Sequence, residues 1–174
     1  MDVAPRPSID EVWHWLRQVP DPEIPVISLT DLGIIRNVAW QDDTLVVTVT
    51  PTYSGCPATS IINLDIETAL TQKGIAKVRV ERQLSPAWTT DWLSAEGREK
   101  LRAYGIAPPI DGTAPDGILM KRIDRLSGTS NLSISCPRCG SAQTEKISQF
   151  GSTPCKASYR CTDCLEPFDY FKCI

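Results

Sequence analysis

Two C-x-x-C pairs, Cys136-Pro137-Arg138-Cys139 and Cys161-Thr162-Asp163-Cys164, constrain this chain more than any other feature. Two residues between thiolates let one tight turn aim both sulfurs at a single metal, and Gly140 permits the positive φ such a turn uses. The 21 residues between Cys139 and Cys161 lie just beyond the ~15–20 of familiar zinc sites. Four thiolates closing a tetrahedron suit zinc, although iron and iron–sulfur clusters also accept four cysteines. A closed four-cysteine set leaves no open coordination position, so it reads as a structural staple that contributes folding energy to a module poor in apolar residues. Six of the seven cysteines fall between Cys136 and Cys173. In a reducing compartment such a cluster points to metal rather than to disulfides. Cys155 and Cys173 are surplus to the knuckles: each either replaces a knuckle cysteine as ligand or is a buried thiol.

The remainder has ordinary globular composition. With 174 residues, 41% hydrophobic and 22% charged, the chain has room for one medium domain and a small module. A net charge of −3 argues against general nucleic-acid binding, which favours basic excess. No apolar run approaches the ~18–20 residues of a membrane span, and residues 1–7 carry no signal-type stretch. A soluble cytoplasmic protein is expected. His14 is the single histidine, which argues against multi-histidine zinc hydrolases and leaves a cysteine nucleophile without an evident base.

Ser8-Ile9-Asp10-Glu11 has the form of a capping box, and Ile9, Val12, Trp13, Leu16 and Val19 then recur at helical spacing. Three prolines between Pro20 and Pro25 end that helix. Ile34–Trp40 and Thr44–Thr50 read as a hairpin across Gln41-Asp42-Asp43. Pro57 opens a second helix to about Gln72, with Ile61, Ile62, Ile66, Ala69 and Leu70 as its buried face. Val78 and Val80 mark a third strand. The expected fold class is α+β: a helix-strand-strand-helix-strand domain over 1–84, then a zinc-ribbon-like module over 118–174. Between them, residues 85–117 hold a loop with Trp88 and Trp92, a short helix Ser94–Tyr104 and a Pro/Gly linker.

Cys56 differs from the other cysteines. Standing before Pro57 at the expected helix start, it has an environment that favours a thiolate; the alternative is an unreactive buried thiol. Asp21-Pro22-Glu23 leaves a similar choice, since its carboxylates either cap a turn or approach metal together with Cys56. Trp88 and Trp92, followed by Arg98, Lys100 and Arg102, read either as a partner interface or as a half-buried pair beside a solvated helix face.

Asp21-Pro22-Glu23-Ile24-Pro25, Asp31-Leu32-Gly33 and Thr50-Pro51-Thr52-Tyr53-Ser54-Gly55-Cys56-Pro57 resemble the iron–sulfur-assembly domain shared by SufT-type proteins and eukaryotic cytosolic iron–sulfur targeting factors, over about residues 9–84. Trp88-Thr89-Thr90-Asp91-Trp92, Gly105-Ile106-Ala107-Pro108-Pro109, Phe150–Ala157 and Glu166–Lys172 resemble the PaaD family, which is associated with bacterial phenylacetyl-CoA epoxidase. The resemblance implies a non-catalytic accessory protein of aerobic phenylacetate degradation. Its implied partners are the di-iron oxygenase subunits and the iron–sulfur flavin reductase, with a homo-oligomer as a further option. It also implies that Cys56, Glu23, Asp21 and Thr52 handle transient iron or an iron–sulfur cluster, and that Cys136, Cys139, Cys161 and Cys164 hold zinc. A ribbon scaffold that binds protein or nucleic acid without transferring metal is the competing expectation.

Overall fold

The computed structural model describes residues 6–110 and 134–172. Helix α1 spans Ile9–Leu16. Its capping box is formed: Glu11 N donates to Ser8 Oγ at 3.2 Å, and Ser8 N donates to the Glu11 carboxylate at 2.8 Å. The strands β1 (Ile35–Gln41) and β2 (Thr44–Val49) pair antiparallel across a turn in which Asp42 has φ 53°. The helix α2 (Thr59–Gln72) then crosses over to β3 (Val78–Arg82), which runs parallel to β2. Sheet order is β1-β2-β3. The central strand β2 is paired on both edges and is the most buried of the three. Val12 and Leu16 of α1 and Ile62, Ile66 and Leu70 of α2 share one core with Val38, Leu45, Val47 and Val49. Each such side chain contributes about 1.5–3 kcal/mol when taken from water.

Two sequence expectations for α2 need correction. Pro57 is not its first residue, because residues 56–59 form a separate turn. Thr59 N and Thr59 Oγ1 both donate to the Cys56 carbonyl, at 3.3 and 2.8 Å, and the helix begins only beyond it. Ile61, expected on the buried face, is 51% exposed, while Ile62, Ile66 and Leu70 point inward.

Beyond β3, the indole of Trp88 turns back into the domain, and its Nε1 donates to Leu32 O at 2.8 Å. A short 3-10 turn (Thr90–Trp92) leads to α3 (Ala95–Tyr104), capped by Ser94 and closed by Gly105 at φ 95°. Asp31 anchors this helix: it accepts from Ser94 Oγ at 3.0 Å and from Lys100 Nζ at 2.8 Å. Ser28 Oγ donates to the same carboxylate at 2.8 Å.

After α3 the chain enters a second sheet. Its strands are β4 (Ile106–Ala107), β5 (Thr144–Ser148), β6 (Lys156–Cys161) and β7 (Pro167–Phe171), in the order β4-β7-β6-β5. Strand β4 lies parallel to β7, and β5-β6-β7 is an antiparallel meander. A small core of Ala107, Ile134, Cys136, Cys161 and Phe168 supports this sheet. Cys155 and Phe171, at its other end, belong instead to the core of the first sheet. Most of the Pro/Gly linker, the expected start of the ribbon at Ile118 and the surplus Cys173 lie outside the described residues.

Candidate functional site

The knuckle cysteines are carried by two turns, one before β5 and one between β6 and β7. Gly140 has φ 75° in the first. Cys136, Cys139, Cys161 and Cys164 bring their sulfurs within 4.8 Å of one another. The cross-knuckle pairs Cys136–Cys164 and Cys139–Cys161 stand at 3.8 and 3.6 Å. A tetrahedron with Zn–S bonds of ~2.3 Å has S···S edges of ~3.8 Å, close to these two separations, so the four clustered donors suit zinc. The amide of Cys164 donates to Cys161 Sγ at 3.5 Å and, with that of Asp163, holds the Cys161 thiol down at about 7.

A second sulfur site lies where the two halves meet. Asp21, Glu23, Thr52, Cys56 and Cys155 line one cavity of about 10 Å³, with Phe171 at its wall. That volume suits one water or one ion. The two carboxylates have separate duties. Asp21 is buried and caps the proline-rich turn, with Oδ1 accepting from the amides of Glu23 at 2.9 Å and Ile24 at 2.8 Å. Burial nonetheless raises its pKa. Glu23 is held by that turn so that its Oε2 accepts from the Cys155 thiol at 3.5 Å.

Cys56 is half-buried at the mouth of the Thr52-Tyr53-Ser54-Gly55 loop. Because α2 starts three residues later, the helix does not lower the thiol as the sequence suggested. Burial raises its pKa above the ordinary cysteine value and outweighs the amide of Ala58; Glu23 and Asp21 raise it further. Cys155 is only 4% exposed. Burial pushes its thiol up to about 12, with the charge of Glu23 adding to the effect. The Tyr53 hydroxyl oxygen is buried without a hydrogen-bond partner, and Tyr53 lines an adjacent cleft with Thr52, Leu84 and Trp88. Its pKa rises through burial, then through Cys56, Glu23 and Cys155.

Sequence reasoning left Cys155 as either a ribbon ligand or a buried thiol. The structure keeps it apart from the four-sulfur cluster and sets it against Glu23, 132 positions earlier in the chain. No spacing rule could have signalled this. Trp88, offered as a partner anchor, is 3% exposed and packs edge-on against Phe171 at 6.0 Å; it joins the two halves and has no face for a partner. Trp92 is half-buried under the Arg36 guanidinium, 3.5 Å from its ring centre. Arg98 and Lys100 are likewise spent internally, on the carbonyls of Pro109 and Thr90 and on Asp31.

Comparison with known proteins adds to this picture. Residues 9–81 match the family model "Iron-sulfur cluster assembly protein", and residues 123–172 match "PaaD zinc beta ribbon domain". The chain is 49% identical over 172 residues to an Escherichia coli K12 protein named as a putative 1,2-phenylacetyl-CoA epoxidase subunit, covering 99% of this chain and 96% of that one. It is 36% identical over 94 residues to an "Fe-S protein maturation auxiliary factor" of Porphyromonas gingivalis, covering 53% of this chain and 89% of the relative. Among solved structures, a conserved hypothetical protein of Thermotoga maritima superposes with a TM-score of 0.48 at 29% identity, over 57% of this chain and 98% of that one. Among the described residues, no helix is long and apolar enough to cross a membrane.

Proposed function

The chain belongs to the PaaD family of phenylacetyl-CoA epoxidase subunits, and from that membership we propose that it matures a metal centre of the epoxidase system rather than catalysing epoxidation. The cargo in this reading is iron or an iron–sulfur unit, held briefly at Cys56 with Glu23 and passed to the oxygenase or to its iron–sulfur reductase. The observation that carries it is that Cys56, Glu23 and Asp21 line one small cavity, walled on its other sides by Ile24, Leu32, Ile34, Ile62 and Phe171.

A carrier must release what it binds. Few protein ligands and one partly open face meet that need, and half-buried Cys56 supplies the face. The ribbon has the opposite design: when zinc is bound it supplies a closed tetrahedral anchor, and the four cysteines that hold it have no free position for exchange. Zinc is therefore assigned to structure and the Cys56 cavity to transfer. In the cavity the raised Cys56 pKa keeps the thiol protonated while empty, so uptake of a cation releases a proton to solvent. Glu23, in the same cavity, is the candidate oxygen ligand. Asp21 holds the turn that aims Glu23.

The test is complementation. In a strain lacking the protein, iron occupancy of the oxygenase and reductase should fall, and the wild-type chain should restore it. Cys56→Ala should fold, keep its zinc and fail to restore occupancy. Full restoration by Cys56→Ala would leave the chain as a ribbon scaffold, and full metallation without the protein would remove the maturation role.

A further inference from the structure

We infer that the free edge of β3 is a self-complementary interface, where a second copy of this chain adds its own β3 antiparallel and joins the two first sheets into one. The inference stands on the first sheet alone and is independent of the carrier reading.

The edge is open and regular. The order β1-β2-β3 leaves each outer strand with one unpaired side among the described residues. Strand β1 is irregular, with a register shift between Ile35 and Asn37, the kind of device by which natural edges avoid pairing. Strand β3 keeps continuous register with β2 over Val78–Arg82. Lys77 O accepts from Leu45 N at 2.9 Å, and Gln83 N donates to Val49 O at 2.8 Å. Backbone groups alternate in direction along a strand, so Arg79 and Glu81 also face β2. The N–H and C=O groups of Val78, Val80 and Arg82 therefore point outward, as the unpaired row of an edge.

Charge selects one register for the added strand. With Val80 opposite its own copy, the outward groups of Val80 pair with each other and those of Val78 pair with the partner's Arg82. Every outward N–H and C=O from Val78 to Arg82 then finds a partner. The same register sets Arg79 opposite the partner's Glu81, twice over by symmetry, and Lys77 opposite the neutral partner's Gln83. Opposite charges facing across strands stabilise a pair, and like charges destabilise it. Centring the pair on Arg79 or on Glu81 instead sets like charges directly against each other.

Arg79 and Glu81 already pair within the chain at 2.9 Å, with about half of each side chain exposed. In the joined sheet each gains an opposite charge on the neighbouring strand without giving up this one. On the other face of β3, Val78 and Val80 pack against the core of the first domain, and pairing continues that apolar layer across the joint. Charged side chains ordinarily guard an edge; the mixed signs here disfavour the neighbouring registers and favour this one. A five-residue strand buries less than a standard interface, so the dimer should be weak and concentration-dependent.

The experiment is sedimentation velocity of the full-length, zinc-loaded chain at ~1–500 μM, a range that captures weak association. Wild type should dimerise reversibly. Arg79→Glu and Glu81→Arg should each weaken the dimer about tenfold by setting like charges across the joint, and the double exchange Arg79→Glu/Glu81→Arg should restore it. Hydrogen exchange of the wild type needs no substitution, so misfolding of a variant cannot obscure the answer. The amides of Val78, Val80 and Arg82 should exchange slowly at high concentration and quickly on dilution, while those of Arg79 and Glu81 stay protected throughout. A chain that is monomeric across the range would overturn the inference. So would a dimer that neither single exchange weakens, or one that leaves the Val78, Val80 and Arg82 amides unprotected.

Discussion

The thiol of Cys155 donates to the carboxylate of Glu23 at 3.5 Å, although 132 residues separate them. Through this contact the ribbon half reaches the acidic turn of the first domain, and the two family modules pack against each other here. Phe171 and Trp88 reinforce the junction beside it.

Trp88 is the mechanical centre of that junction. Trp88→Ala removes its buried ring and leaves Leu32 O without the indole donor at 2.8 Å. A loss of about 3–5 kcal/mol is expected. Trp88→Phe should lose about 1–3 kcal/mol, chiefly from the orphaned carbonyl. Urea unfolding of the zinc-loaded chain measures both, and a change under ~1 kcal/mol for Trp88→Ala would contradict the burial.

The ribbon should hold one zinc per chain. Elemental analysis of aerobically purified protein checks this, and Cys139→Ser should release the metal and melt the second sheet. Because Phe171 packs on Trp88, zinc loss should also alter tryptophan emission from the first domain. A folded ribbon without metal would refute the assignment.

The cavity thiols should be poor nucleophiles at neutral pH. Cys56 is shifted upward by burial, then by Glu23 and Asp21, so its alkylation rate should rise with an inflection above the ~8.5 of a free cysteine. Cys155, near 12 in the folded chain, favours folding while the unfolded thiol is also protonated. That stabilisation is fully present below pH ~8.5 and is lost as pH climbs toward 12, at up to ~1.4 kcal/mol per pH unit. Denaturation midpoints of wild type against Cys155→Ala across pH 7–10 should converge as pH rises.

Asp31 behaves in the opposite sense. Burial alone would raise its carboxylate, but Lys100, then Ser28 and Ser94, hold it below the usual range. Its stabilisation is therefore present above pH ~4 and disappears as pH falls through the lowered folded value. Asp31→Asn should destabilise the chain by about 1–3 kcal/mol at pH 7 and by much less near pH 3. Equal losses at both pH values would show that the contact is not ionic.

A backbone constraint in the same loop is also testable. Gly33 has φ 67°, and a Cβ there would lie 2.5 Å from Trp92 O. Gly33→Ala should cost at least about 1 kcal/mol, read as a lowered melting temperature. An unchanged melting temperature would mean that the loop can shift away from Trp92.

Several local signals were legible in the sequence. The capping box at Ser8 and Glu11, the hairpin about Asp42 and the four clustered knuckle cysteines depend on neighbours within a few residues or on fixed ligand spacing, and each forms as read. The acidic turn and Cys56 were identifiable as candidates, because residue type and motif mark them. Their chemistry was not. The start of α2 depended on Thr59 competing for the Cys56 carbonyl, and the Cys56 thiol depended on burial that only packing supplies. Trp88 and Cys155 carried no local mark of their destinations, since hydrophobic burial has no direction along the chain. Sequence by itself determined the helices and strands of the first domain, the short helix after it, the four clustered knuckle cysteines and the family. Tertiary structure alone decided that the tail's Cys155 faces Glu23, because that contact exists only once two separately patterned sheets bury their ends against each other.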